Sequence, residues 1–225
     1  MSETYEEHDL PTADGPRVHY RTYEPKGAAV GAPVLCLHGL TRNERDFEDL
    51  APMIAGLGRQ VVVATQRGRG PSDRDPKPER YNPAVYVSDM LGILDARAIA
   101  KAVFVGTSMG GGMTMVAAAT APQRMAGAVL NDVGPEIDPV GLERIRGYAG
   151  VPKAAATWRE AAGLCRGING VAFPDETGDA FWETFARRIF REEAPGRIVL
   201  DYDPLVGGAV APDGPRPDLW PMFDA

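Results

Sequence analysis

Residues 102–116, AVFVGTSMGGGMTMV, decide the fold. Ala102–Val105 has the composition of a short buried strand, glycines flank Ser108, and the small residues from Gly110 onward suit a tightly packed helix start. Gly106-Thr107-Ser108-Met109-Gly110 fits G-x-S-x-G, the pattern of a nucleophile elbow. The chemistry dictates the spacing. A serine on a sharp strand-to-helix turn needs neighbours without a Cβ two residues to either side, because strand and helix crowd there. The strain lifts the hydroxyl out of the sheet and aims the first helical N–H groups at whatever it attacks. The competing readings are a plain strand-to-helix turn and a glycine-rich phosphate loop. A phosphate loop carries Lys and then Ser or Thr after its last glycine, whereas Gly112 is followed by Met113.

The bulk composition narrows the function classes. A chain of 225 residues, 44% hydrophobic, suits one domain or one domain with an insertion. A formal charge of −7 argues against nucleic acid, whose binding is dominated by Lys and Arg. The acidic start MSETYEEHDL has no apolar run, and no stretch is long enough to span a membrane. Two cysteines make no disulfide framework; Cys36 and Cys165 both fall in apolar patterns and read as core thiols. Together these features fit a soluble cytoplasmic protein. The three histidines are His8, His19 and His38, with none beyond. They form no metal-ligand spacing, so no metal or other cofactor is called for.

Around the elbow the chain alternates strands and helices. Residues 17–22 alternate as a half-exposed strand that puts His19 on its wetter face. Residues 33–37 form a near-continuous apolar run that ends in His38-Gly39-Leu40. A helix over 41–54 follows, with Phe47, Leu50, Ala51 and Ile54 on one face. The strand 60–65 then runs into Arg67-Gly68-Arg69-Gly70-Pro71-Ser72-Asp73, which fails the dinucleotide fingerprint because Asp73 stands where its last glycine belongs. Asn82-Pro83 opens a helix whose face of Val87, Met90, Leu91 and Leu94 lies opposite Ser88, Asp89 and Asp95. The strand 126–130 closes the series at Asn131-Asp132. This order gives an α/β fold with a mostly parallel sheet flanked by helices. His38, Arg67, Ser108 and Asp132 all fall at carboxyl ends of strands, where such sheets bind ligands. Beyond Pro135, three helical stripes without intervening strands read as an insertion over those ends. The expected division is a core over 1–137, a helical cap over 138–195 and a return segment over 196–225.

These residues resemble the α/β-hydrolase superfamily. The similarity runs from Asp14-Gly15 through Leu37-His38-Gly39, the 67–73 segment and the elbow, in the family's order, and continues loosely through a cap. It points to the serine branch of esterases, enol-lactonases, carbon–carbon bond hydrolases and cofactor-free haloperoxidases. Ser108 stands apart from the dehalogenases and epoxide hydrolases, whose nucleophile is Asp.

The resemblance implies a small-molecule ester, lactone or related carbonyl substrate; the charge and the lack of a spanning stretch lead to an expectation of no nucleic-acid and no membrane partner, and oligomeric state is left open. Ser108 becomes the nucleophile. The backbone N–H groups of Met109 and Leu40 become the oxyanion hole, with His38 shaping its loop rather than serving as base. The family's C-terminal histidine base, and the acid that usually follows the penultimate strand, have no counterpart in the sequence. On the resemblance the chain stops about two strands and their helices short, some ~50–60 residues at usual element lengths. Asp132 is a candidate acid, with an ordinary strand-end turn as its alternative role. The chain as it stands is then expected to be inactive or severely impaired as an enzyme. A non-catalytic small-molecule-binding protein of the same fold is the rival expectation.

Overall fold

Strand periodicity sets the architecture. The computed structural model of the chain describes residues 5–210 and 218–225; residues 1–4 and part of the expected return segment, 211–217, lie outside the described residues. The core runs β1 (Glu6–Pro11), β2 (Arg17–Tyr23), β3 (Val34–Leu37), α1 (Leu50–Gly56), β4 (Val61–Ala64), α2 (Pro83–Ala96), β5 (Ala102–Thr107), α3 (Met109–Thr120) and β6 (Met125–Asn131). The sheet order is β1-β2-β4-β3-β5-β6, with β4, β3, β5 and β6 parallel and β1 and β2 antiparallel.

Alternate residues of β3 and β4 go to opposite layers. Leu35, Leu37, Val62 and Ala64 face α2 and α3, while Val34, Cys36, Val61 and Val63 face Phe47, Ala51 and Ala55. A strand buried on both faces has to be apolar throughout, as these two are. Asn82 caps α2 by accepting the Val85 N–H at 3.1 Å, with Pro83 in the first turn. The helix expected over 41–54 is instead a 3-10 turn, Glu44–Phe47, followed by α1. Asn43 holds that turn, its side-chain oxygen accepting from the Arg45 N–H at 3.0 Å.

Two further expectations about polar faces are corrected. The strand carrying His19 is buried along its length after Arg17, because the acidic segment at the start of the chain forms β1 and covers it. His19 is 5% exposed, its Nδ1 lying 3.1 Å from Asp9. Asp89 does not lie on a solvated helix face; it is buried because it forms a two-point ion pair with Arg67.

After the core come α4 (Pro139–Arg146), β7 (Ala154–Ala155), α5 (Trp158–Asn169), α6 (Asp179–Ile189), β8 (Phe190–Ala194), β9 (Arg197–Leu200) and α7 (Trp220–Phe223). The three expected helical stripes are present. Strands join them, contrary to expectation: β7-β9-β8 forms a small antiparallel sheet. Ala161, Cys165, Trp182, Ala186 and Phe190 give this layer its own apolar cluster. It is tied to the core segment before α1 by the Asn43 amide donating to the Arg188 carbonyl at 2.9 Å and by ion pairs Arg188–Asp49 and Arg45–Asp201.

β6 is an edge of the sheet, and Ala126 through Val129 are all exposed. Its sequence has no Lys or Pro to block pairing with another chain. The chain is therefore expected to self-associate in size-exclusion chromatography as concentration rises, and Val129→Lys should suppress this. A monomer peak at every concentration would count against the prediction.

Candidate active site

Ser108 sits between β5 and α3 with φ 52° and ψ −114°, a backbone conformation an L-residue adopts only under constraint. Its neighbours supply that constraint. A Cβ on Gly106 would lie 2.3 Å from the Gly110 carbonyl oxygen, and one on Gly110 would lie 2.1 Å from the Leu37 carbonyl oxygen. Both elbow glycines are thus required by contact. The Ser108 N–H donates to the Asn131 carbonyl at 2.9 Å, and the Ser108 carbonyl accepts from the N–H groups of Gly111 and Gly112. Met109 is the first residue of α3, and the opening N–H groups of a helix have no intrahelical acceptor.

The His38-Gly39-Leu40 loop passes beside this turn: a Cβ on Gly39 would lie 3.8 Å from the Ser108 Cβ. Leu40 and Ser108 line one cavity of about 360 Å³, together with Thr41, Arg42, Asn131 and Asp132 from the core. Arg144, Tyr148, Lys153, Cys165, Phe173 and Phe185 close it from the helical layer. Met109, whose N–H is expected to complete the oxyanion hole, is not among the residues that line the cavity. Arg69, 1% exposed, lies behind both loops. Its Nε donates to the Leu40 carbonyl at 2.9 Å, its Nη1 donates to Tyr86 Oη at 2.7 Å, and its Nη2 lies 3.7 Å from Met109 Sδ. One buried guanidinium therefore touches both residues expected to form the oxyanion hole. Arg67, the other arginine of the 67–73 segment, turns away from the cavity into a cluster with Asp14, Asp75 and Asp89.

His38 is fully buried and both ring nitrogens are occupied. Nδ1–H donates to the Gly39 carbonyl at 2.8 Å, and Nε2 accepts the Gln66 N–H at 3.2 Å. Burial lowers its pKa to about 3, and the nearby charges of Arg69 and Arg42 act in the same direction. It shapes the loop and has no lone pair to take a proton from Ser108. His8 binds Thr22 and stacks on Tyr20, and neither it nor His19 lines the cavity. Asp132 lines the cavity as an exposed residue with φ 55° at the end of β6. Among the described residues, no cluster of three His, Cys, Asp or Glu side chains could hold a metal ion, and no helix is long and apolar enough to cross a membrane.

A histidine buried neutral takes up a proton on unfolding. His38 therefore contributes stability that is whole above its ordinary value of 6.5 and is lost as the pH falls toward about 3. The slope is at most about 1.4 kcal/mol per pH unit. Urea midpoints between about pH 5 and 6.5 should fall with pH, and His38→Asn should flatten that dependence whatever its constant offset. An unchanged slope in the variant would contradict the assignment.

The cationic residues of the helical layer, and Arg69, were not singled out by sequence. Arg69 follows Gly68 in a recognisable segment, yet only the fold reveals that it meets Leu40 and Met109. Arg144 and Lys153 sit on surface-like patterns whose direction depends on how the layer docks.

Comparison with known proteins identifies the fold family. Residues 32–174 match the family described as the alpha/beta hydrolase fold. A 3-hydroxybutyrate-oligomer hydrolase of Cupriavidus necator is 35% identical over 92% of this chain, which spans 73% of that protein. Epoxide hydrolase B of Mycobacterium tuberculosis is 30% identical over 54% of the chain, which spans 34% of it. The crystal structure of an alpha/beta hydrolase from Novosphingobium aromaticivorans superposes with a TM-score of 0.90 at 44% identity, covering 100% of this chain and 78% of that one. On the family match, the relatives and the elbow geometry together, the chain belongs to the α/β-hydrolase fold family.

Proposed function

We propose that the chain carries the nucleophile and oxyanion hole of a serine hydrolase acting on a small ester, lactone or related carbonyl substrate. The observation that carries this is the strained Ser108 at φ 52°, opening onto a cavity it shares with Leu40. A protein that only binds has no use for such a turn, and this weighs against a non-catalytic role. The cavity volume of about 360 Å³ is at the small end of ligand pockets, typically ~300–1,000 Å³, which fits a small substrate. The relative named for hydrolysing 3-hydroxybutyrate oligomers supports the same class.

In this mechanism Ser108 Oγ bonds to the substrate carbonyl carbon, and its proton passes to a base. The carbonyl oxygen becomes an oxyanion facing the N–H groups of Leu40 and Met109. Such donors are worth ~3–4 kcal/mol each because they are already aimed where charge develops. Collapse of the intermediate expels the alcohol, which takes the proton from the base; water then attacks the acyl-serine, giving up its proton to the base, and the acid leaves as that proton returns to Ser108 Oγ. Residues 138–195, with the strand β9 that pairs with β7 and β8, act as a cap that closes the cavity over the core. The base is none of the three histidines, given where His8, His19 and His38 lie. The test is hydrolysis of p-nitrophenyl acetate by the chain and by Ser108→Ala, with imidazole supplied as base. A serine-dependent rate supports the reading, and equal rates would reject it.

A further inference from the structure

The charges lining the cavity are unevenly paired. Arg42 is held by Asp46, its Nε donating to the two carboxylate oxygens at 3.0 and 2.9 Å, and it stacks over Phe185. That pair is closed. Arg144 and Lys153, which come from the helical layer, have no carboxylate within 4.0 Å among the described residues. Asp132 is the other acidic residue of the lining and makes no ion pair within that distance among the described residues. The lining thus carries three cations against two carboxylates, on a chain whose formal charge is −7. A cation-rich concavity with low-dielectric walls concentrates anions even on an acidic protein. Tyr148 stands among these groups, within the field of Arg144, Arg42 and Asp132, and burial keeps its hydroxyl protonated as a donor.

We propose that Arg144 and Lys153, with the Tyr148 hydroxyl, form an anion subsite that receives a carboxylate at the cap end of the substrate while its reacting carbonyl sits at Ser108. The substrate class is then a carboxylate-bearing ester or lactone rather than a neutral one. Arginine suits this role because its guanidinium binds carboxylate in two-point geometry, and lysine adds a compact point charge. This identification of substrate class rests on the serine-hydrolase reading above, although the subsite itself needs only the two cations.

The experiment compares binding of monomethyl succinate and dimethyl succinate by calorimetry. It uses the chain and Ser108→Ala, so that turnover does not obscure binding. Both proteins should bind the monoester about tenfold more tightly than the diester, and added salt should erode that preference. The Arg144→Gln, Lys153→Gln double variant should lose the preference and keep its affinity for the diester. If the double variant misfolds, the single variants serve, each losing roughly threefold at these partly exposed positions. Equal affinity for the two esters, a preference that survives the double substitution, or no binding of the monoester overturns the proposal. The parent chain should separately show Ser108-dependent hydrolysis of neutral p-nitrophenyl acetate with imidazole. Absence of that rate in the parent chain, with its carboxylate preference intact, would refute the nucleophile and spare the subsite.

Discussion

Without added base, the 225-residue chain is expected to hydrolyse p-nitrophenyl acetate hardly faster than its Ser108→Ala variant. A serine hydroxyl is a weak nucleophile until a neighbour takes its proton. In a serine protease, removing the histidine alone costs roughly 10⁶ in kcat, and a deficit of that order is expected here. His38 cannot fill the role, since Gly39 and Gln66 occupy its two ring nitrogens and burial holds its pKa near 3. Exogenous imidazole should raise the Ser108-dependent rate by about tenfold or more, following the neutral fraction of imidazole as the pH rises through roughly 6 to 8. Brisk serine-dependent turnover without imidazole would mean that another group of the chain serves as base. Asp132, at the cavity wall, would be the first position to substitute.

Arg67→Leu is expected to be the most destabilising single substitution away from the elbow. Arg67 is 1% exposed. Its Nε and Nη2 donate to Asp89 at 2.8 and 2.6 Å, its Nη1 donates to Asp75 at 2.6 Å, and Asp14 accepts from both Nη atoms at 2.9 and 3.1 Å. Burial works against the arginine charge, and the three carboxylates overcome it, holding its pKa above the ordinary value. Hydrogen bonding by Arg67 in turn holds Asp14 well below the usual carboxylate range. Removing the guanidinium strands Asp89 in the interior without a counter-charge and leaves buried Asp75 with only Arg80, 4.0 Å away. Breaking a buried pair in this way costs about 3–5 kcal/mol, a large share of the ~5–15 kcal/mol typical of a folded domain. Urea unfolding near neutral pH should show that loss. The gap to the parent chain should narrow in mild acid, where stranded carboxylates can protonate. A change below about 1 kcal/mol would contradict the role given to Arg67.

The two arginines of Arg67-Gly68-Arg69 show how far the sequence could be read. Their place at a strand end was legible, because a β-branched run, Val61–Val63, stops at a glycine-rich turn. Their separate tasks were not. One guanidinium enters a carboxylate cluster and the other braces Leu40 and Met109, and only the course of neighbouring loops decides which does which. The elbow was legible for the opposite reason: contacts at 2.3 and 2.1 Å leave no residue but glycine at 106 and 110, so the constraint is written into the sequence. His19 and Asp89 were misjudged because polarity was taken for exposure. β1 covers the first, and Arg67 draws the second inward. The strand β7 escapes a reading by periodicity since it is only two alanines long, and β8 since it carries polar residues such as Arg191 and Glu192. The cations of the cavity could not be assigned, as their side-chain directions follow from how the helical layer docks on Asn43, Asp49 and Arg45.

The most direct test of the central claim, that Ser108 is the nucleophile, is to locate a covalent label. The chain is treated with a fluorophosphonate in the presence of imidazole, digested, and mapped by mass spectrometry. The adduct is expected on the peptide containing Ser108, formed faster with imidazole than without it and absent from Ser108→Ala. An adduct elsewhere in the chain, or labelling that persists undiminished in Ser108→Ala, would contradict it.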